Sequence, residues 1–198
     1  MTKKAPKEQR MEEIIEAAVN EFVVKGYEGT SMQSIAERAG LTKGGLYYHF
    51  GSKDEILLAA NGRYFEPILE MIQTAEAKNC PVEGLRYFIY AYLQHWSRHS
   101  REMIFTLLSL SKILVCAAMW PLINNYSEEM ISFYERLLVG GIRAGKFRSH
   151  NAHSQATALF AALDGVTPYL ITSQTLTPES LARQFEATFI DVLLDIPQ

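Results

Sequence analysis

The sequence predicts an all-α fold, and three observations carry that expectation. Apolar residues recur at spacings of three and four, strand-type alternation is nearly absent, and capping residues stand where the periodic runs begin. Ile14, Ile15, Ala18, Phe22 and Val23 share one face of a first helix, from about Lys7 to Lys25. Gly26 closes it, because glycine tolerates the left-handed backbone of a helix end. Thr30 or Ser31 caps a short second helix with Met32, Ile35, Ala36 and Ala39 on one side, and Gly40 ends it. Thr42 caps a third short segment. Ser52 opens a long fourth helix with Asp54 and Glu55 in its first turn, where the helix dipole favours carboxylates. Beyond residue 80, long helices alternate with short breaks. Pro81 opens one that carries Leu85, Phe88, Ile89, Tyr92, Leu93 and Trp96; the next runs from about Arg101 to Met119. Pro121 begins another that ends near Gly145, and Asn151 one that reaches about Thr172. Thr177, Pro178 and Glu179 form a cap with proline at the first helical position, so a last helix extends to about Leu194. The expected architecture is about nine helices: an N-terminal three-helix domain over residues 1–55 and a C-terminal helical domain over residues 56–198.

Composition bounds the function. Of 198 residues 48% are hydrophobic and 21% charged, ordinary for a globular protein and wrong for a disordered one. The net charge of −3 excludes a chain coated in nucleic acid over its whole surface, yet the positive charge is concentrated at one end. Lys3, Lys4, Lys7 and Arg10 face only Glu8 in the first ten residues, which suits an arm on a phosphate backbone. Cys80 and Cys116 lie far apart, make neither a metal spacing nor a disulfide framework, and read as reduced thiols of a cytoplasmic protein. The apolar run from Met103 to Ile123 is long enough for a bilayer, but Lys112 at its middle and Pro121 favour a buried helix over a membrane span.

Two short helices joined by a glycine-containing turn form a helix-turn-helix pattern. Such a unit needs a small residue at the helix crossing, glycine in the turn and an apolar anchor in the second helix. Ala36, Gly40 and Leu46 meet those needs. The surrounding text is denser still: Ile15, Ala18, Phe22 and Gly26-Tyr27, then Ile35-Ala36 and Ala39-Gly40, then Leu46-Tyr47-Tyr48-His49-Phe50, Lys53 and Leu57. Over residues 8–58 this closely resembles the TetR family of bacterial regulators. The resemblance implies a recognition helix made of Thr42, Lys43, Gly44, Gly45, Leu46, Tyr47, Tyr48 and His49, lying in the major groove of a double-stranded DNA operator. Lys43 can reach a guanine edge or a phosphate, and Thr42 can cap the helix and touch a phosphate. Gly44 and Gly45 cost about 1 kcal/mol each relative to alanine, and read either as room for close approach to bases or as a loose turn. Tyr47, Tyr48 and His49 are donors suited to phosphates and sugars, while Leu46 and Phe50 point to the core. Lys53 resembles the family's phosphate-contacting lysine. Thr30 and Ser31, joined by Gln33, stand at a helix N-terminus that attracts phosphate, although plain capping accounts for them too.

From about residue 60 onward the resemblance implies a domain for small-molecule effector binding and dimerisation. Tyr64, Phe88, Tyr92, Trp96, Phe105, Trp120, Tyr126 and Phe133 are the candidate lining of a pocket between helices, against the alternative that aromatics at helical spacing are simply core. Asp164, among apolar neighbours, is either buried with a partner or turned to a pocket. His95 and His99 have metal-ligand spacing, but no third ligand accompanies them, so no metal and no cofactor is expected. Ala156, Leu159, Phe160 and Leu163, with Leu181, Phe185, Phe189 and Val192, form apolar stripes on the last two helices, which suggests a homodimer through a four-helix bundle. No phosphate loop, nucleophile elbow, zinc constellation or paired catalytic carboxylates is visible, so an enzyme is not expected. The reading is a homodimeric repressor released from a palindromic operator by an effector, with an effector-independent regulator or activator as its rival.

Overall fold

A computed structural model describes residues 7–194. It consists of helices α1 (Lys7–Gly29), α2 (Met32–Arg38), α3 (Lys43–Tyr47), α4 (Lys53–Glu76), α5 (Pro81–Arg98), α6 (Ser100–Leu114), α7 (Trp120–Arg143), α8 (Ala152–Val166), α9 (Tyr169–Thr172) and α10 (Pro178–Phe185), with no strand among the described residues. The basic residues Lys3 and Lys4 lie outside that range. The all-α expectation holds, and the differences are local. Gly26 does take a positive φ of 70°, but helical pairing resumes beyond it, so α1 kinks there and ends at Gly29. The stretch from Asn151 to Thr172 is broken at Pro168, which lacks the N–H that a continuous helix needs. The last helix keeps α-geometry only to Phe185 and passes into a π-turn over Glu186–Ile190. No single described helix is long and apolar enough to cross a membrane.

The chain forms two compact units. One runs through Glu66 and takes in Arg101–Ala117; the other takes in Pro67–Ser100 and the residues from Ala118 onward. The boundary expected after residue 55 therefore falls inside α4, and α6 belongs mostly with the N-terminal helices. The reason is visible in the first core. Ile14, Ala18, Val19 and Phe22 of α1 meet Ile35 and Ala36 of α2, Leu46 of α3, Ile56, Leu57 and Ala60 of α4, and Phe105 of α6. Phe105 is fully buried, with its ring 6.0 Å from Phe22 and 5.5 Å from Tyr64. Each such side chain contributes about 1.5–3 kcal/mol by leaving water, so α6 is a structural part of this unit.

In the second unit, Leu85, Phe88, Ile89, Tyr92 and Leu93 of α5 are buried, as are Met130, Phe133, Tyr134, Leu137 and Leu138 of α7. Close approach is bought with glycine: a Cβ on Gly84 would lie 2.6 Å from the Ala75 carbonyl oxygen, and one on Gly141 2.2 Å from the Phe147 ring. The apolar stripes assigned to a dimer face are largely spent inside the subunit. Ala156, Leu159, Leu163, Leu181 and Phe185 are all buried here, because α8 and α10 cover the subunit's own core. Phe160 and Phe189 are half-buried and Val192 is exposed; the outer face of α8 shows Ala158, Ala161 and Gly165 instead.

Candidate nucleic-acid interface

The geometry of the helix-turn-helix follows from three local decisions. Ser31 caps α2 by accepting from the Ser34 N–H, and the Ser34 hydroxyl oxygen accepts in return from the Ser31 N–H. Gly40, at φ 65°, makes the turn that an L-residue with a Cβ would resist. Thr42 then caps α3 by accepting from the Gly45 N–H at 3.1 Å. Ala36 and Leu46 are completely buried and Phe50 nearly so, which fixes α3 by one side. Its other side carries exposed Lys43, Gly44, Tyr47 and Tyr48, the last 76% exposed, with His49 half-buried beside it. The Tyr48 and His49 rings meet edge to face at 5.1 Å. A Cβ on Gly44 would touch nothing, whereas one on Gly45 would lie 3.3 Å from the capping Thr42 hydroxyl. The segment is thus a capped, anchored helix rather than a loose turn.

Two residues expected at the phosphate backbone are engaged inward. Thr30 is buried, and its hydroxyl donates to the Gly26 carbonyl oxygen at 2.8 Å, closing the kink of α1. Lys53 donates from Nζ to the Tyr27 and Thr30 carbonyl oxygens at 2.6 and 2.8 Å and lies 4.0 Å from the Tyr27 ring centroid. Desolvation lowers its pKa, and two of its three N–H groups serve to hold the α1–α2 connection. Tyr27 itself donates to Asp54 and has the Lys112 ammonium 4.5 Å from its ring centroid. Gln33 is exposed and donates to Glu37 at 2.7 Å, and Ser31 is exposed at its cap. Sequence reading missed Glu21. It is 2% exposed, yet it accepts from Lys25 and Arg38, each at 2.6 Å, and so ties the last turn of α2 to α1. Those bonds hold its carboxyl at about 2, from an ordinary 4.5, against the opposing effect of burial. A glutamate on the apolar side of an amphipathic helix, with lysine four residues on, was the available signal.

The candidate effector residues divide between the two units. Tyr64 and Phe105 belong to the N-terminal unit, where they pack on each other. Phe88 and Phe133 are fully buried in mutual contact at 4.6 Å between ring centroids, and Trp120 is 51% exposed. Two grooves, of about 430 and 380 Å³, are lined by other residues, among them Arg136 and Gly140 in one and Lys25 and Leu108 in the other. The part that does converge is Tyr92, Trp96 and Tyr126, joined by Asp164. The Tyr92 and Tyr126 hydroxyls donate to the Asp164 carboxylate at 2.8 and 3.2 Å. Asp164 thus has the partners that one of its two readings required, but it stands at the exposed side of α8 and is not itself buried. Partial desolvation by the packed neighbours raises its pKa above the usual carboxylate value.

Comparison with known proteins concentrates on the same N-terminal stretch. The sequence profile of bacterial regulatory proteins, tetR family, matches residues 14–60. The negative transcriptional regulator IcaR of Staphylococcus epidermidis is 28% identical over 82 residues, which are 41% of this chain and 44% of that one. The chain thus matches less than half the length of the first such relatives. Solved structures are similar throughout. The TetR family regulator PfmR of Thermus thermophilus superposes with a TM-score of 0.72 at 26% identity, covering 89% of this chain and 96% of that one. AibR in complex with isovaleryl coenzyme A and operator DNA gives 0.75 at 24% identity, with 91% and 98% covered, a likeness of fold. The relatives are transcriptional regulators, not enzymes.

Proposed function

We propose that the chain is a member of the TetR family of bacterial regulators, and that it is a homodimeric cytoplasmic repressor whose grip on a palindromic operator is released by a small-molecule effector. The observation that carries the reading is the two-sided α3: Leu46 is completely buried while Lys43, Gly44, Tyr47 and Tyr48 stand free on the opposite side. A rigidly seated helix with a cation, two phenols and a glycine gap outward has what a major-groove reader needs. Thr42, Lys43, Gly44, Gly45, Tyr47, Tyr48 and His49, with Ser31 and Gln33, are its contacts. Lys53 supports them from behind by fixing the α1–α2 connection. Pairing across a twofold axis follows from reading a palindrome, and the small outer residues of α8 permit a close helix–helix approach.

An effector-independent regulator is the second reading, favoured by the closed packing of Phe88 on Phe133. Against it stands the Tyr134 hydroxyl, which is completely buried and has no hydrogen-bond partner. Selection of bound duplexes from a randomised pool tests the DNA-binding core of the proposal. Enrichment of twofold-symmetric sites with half-sites about 34–36 Å apart, or multiples of that, is expected. Lys43→Ala together with Tyr48→Ala is expected to weaken binding to the selected site by about 2–4 kcal/mol and to flatten its salt dependence. A pool that yields no preferred sequence, or a double variant that binds like wild type, refutes the assignment.

A further inference from the structure

The exposed side of α3 carries a small and uneven set of side chains. Among the described residues from Gly26 to Glu66, the other cations are engaged with the chain itself: Arg38 with Glu21, Arg63 with Glu12, and Lys53 with the Tyr27 and Thr30 carbonyl oxygens. Lys43 is exposed and makes no ion pair with any described residue; its ammonium lies 5.9 Å from the centroid of the Tyr47 ring, one turn on. Successive helical residues stand about 100° apart, so Lys43 and Tyr47 share one stripe and Gly44 and Tyr48 the next, with Leu46 turned into the core. The stripes change character along the helix. The first turn offers a flexible cation beside a glycine whose Cβ would meet nothing. The next turn offers two exposed phenols, Tyr47 and Tyr48.

A helix laid in the major groove puts its first-turn residues over the base edges. The room beside Gly44 lets Lys43 reach the groove floor, whereas hydroxyls on rigid rings one turn later suit the phosphates of the walls. Donors and acceptors then decide the base. An ammonium only donates, and guanine alone presents two adjacent acceptors, N7 and O6; adenine sets its N6 amino donor where O6 would be, facing another donor. From Lys43 to His49 there is no carboxylate to accept from cytosine and no carboxamide to pair with adenine. We propose that Lys43 is the specificity-determining residue of α3, donating to N7 and O6 of one guanine in each half-site, with Gly44 as its clearance and Tyr47 and Tyr48 on the backbone. This rests on the reading of the chain as an operator-binding regulator and adds which residue selects which base.

A change of sequence preference, as opposed to a loss of affinity, decides it. Duplexes are selected from a randomised pool with the full chain as wild type, Lys43→Gln and Lys43→Ala. Wild type is expected to enrich a guanine at one position of each half-site. Lys43→Gln is expected to change that position to adenine, because a carboxamide pairs with N6 and N7 together, and to leave the other positions as they were. Lys43→Ala is expected to lose preference at that position alone. Replacing the guanine by 7-deazaguanine, which lacks the N7 acceptor, is expected to weaken wild type about tenfold and Lys43→Ala not at all. Lys43→Arg, which keeps two donors for the same edge, is expected to retain the guanine and serves if either other variant fails to fold. Variants that lose affinity by one factor on every duplex and keep the wild-type sequence place Lys43 on a phosphate and overturn the assignment. Equal sensitivity of wild type and Lys43→Ala to 7-deazaguanine overturns it too. In both cases a preferred site still exists and the regulator reading stands, whereas a wild-type pool without any preferred sequence sinks that reading and this assignment together.

Discussion

Glu21→Gln is expected to destabilise the protein at neutral pH, and the loss is expected to vanish in acid. The folded carboxyl titrates at about 2 and an ordinary glutamate at 4.5, a gap that bounds the stabilisation at about 3 kcal/mol. Lys25 and Arg38, however, are 45% and 43% exposed, so solvent screens the attraction and about 1–2 kcal/mol is the expected contribution. Because the folded pKa lies below the unfolded one, the stabilisation is complete above the unfolded value and is lost as pH falls from 4.5 toward about 2. Denaturant unfolding of wild type and Glu21→Gln at about pH 7 and about pH 3 measures it. The difference is expected to shrink by at least half. Arg38→Ala in both backgrounds closes a double-mutant cycle, in which coupling of about 1 kcal/mol at neutral pH is expected. A difference that stays constant with pH, or a cycle without coupling, refutes the clamp.

Gly44→Ala is expected to raise stability by up to about 1 kcal/mol, because its Cβ meets nothing and alanine favours the helix, while it weakens operator binding; unaltered affinity in a thermally stabilised variant refutes close approach at this position. Tyr134→Phe removes an unpartnered buried hydroxyl and is expected to raise stability by about 1 kcal/mol, checked by denaturant titration. Gly141→Ala places a methyl group 2.2 Å from the Phe147 ring and is expected to cost about 1–3 kcal/mol and lower the melting temperature.

The helix-turn-helix was legible in the sequence because its signals are local. Thr42 as cap, Gly40 as turn and Leu46 as anchor are decided by neighbours a few positions away, and each stands where the spacing put it. Lys53 and Thr30 show the opposite case, because their inward bonds depend on distant neighbours. Both are exposed types at a helix start, and only the carbonyl groups left free by the kink at Gly26 turn them inward. The effector residues were chosen by aromatic type, and type does not reveal which ring meets which. Phe105 and Tyr64 went to one core and Phe88 and Phe133 to another. Tyr134 is a useful contrast: by periodicity it is an ordinary core position, and its unsatisfied oxygen appears only when α5, α7 and α8 are brought together. The apolar stripes of α8 and α10 were illegible in the same way, since a wide apolar face does not say whether its partner is the same chain or a second copy.

The discontinuity of the N-terminal unit bears on how it can be exchanged between chains. A cut after residue 55 severs α4 in its first turn, and a cut after Glu66 removes Phe105 and Arg101, whose guanidinium bonds Glu16 and Asn20 of α1. Grafting the head of this chain onto another sensor therefore means carrying residues 101–117 as well. In recombination the N-terminal unit is inherited whole only when both pieces travel together, so α6 is expected to follow α1–α3 and not the second unit.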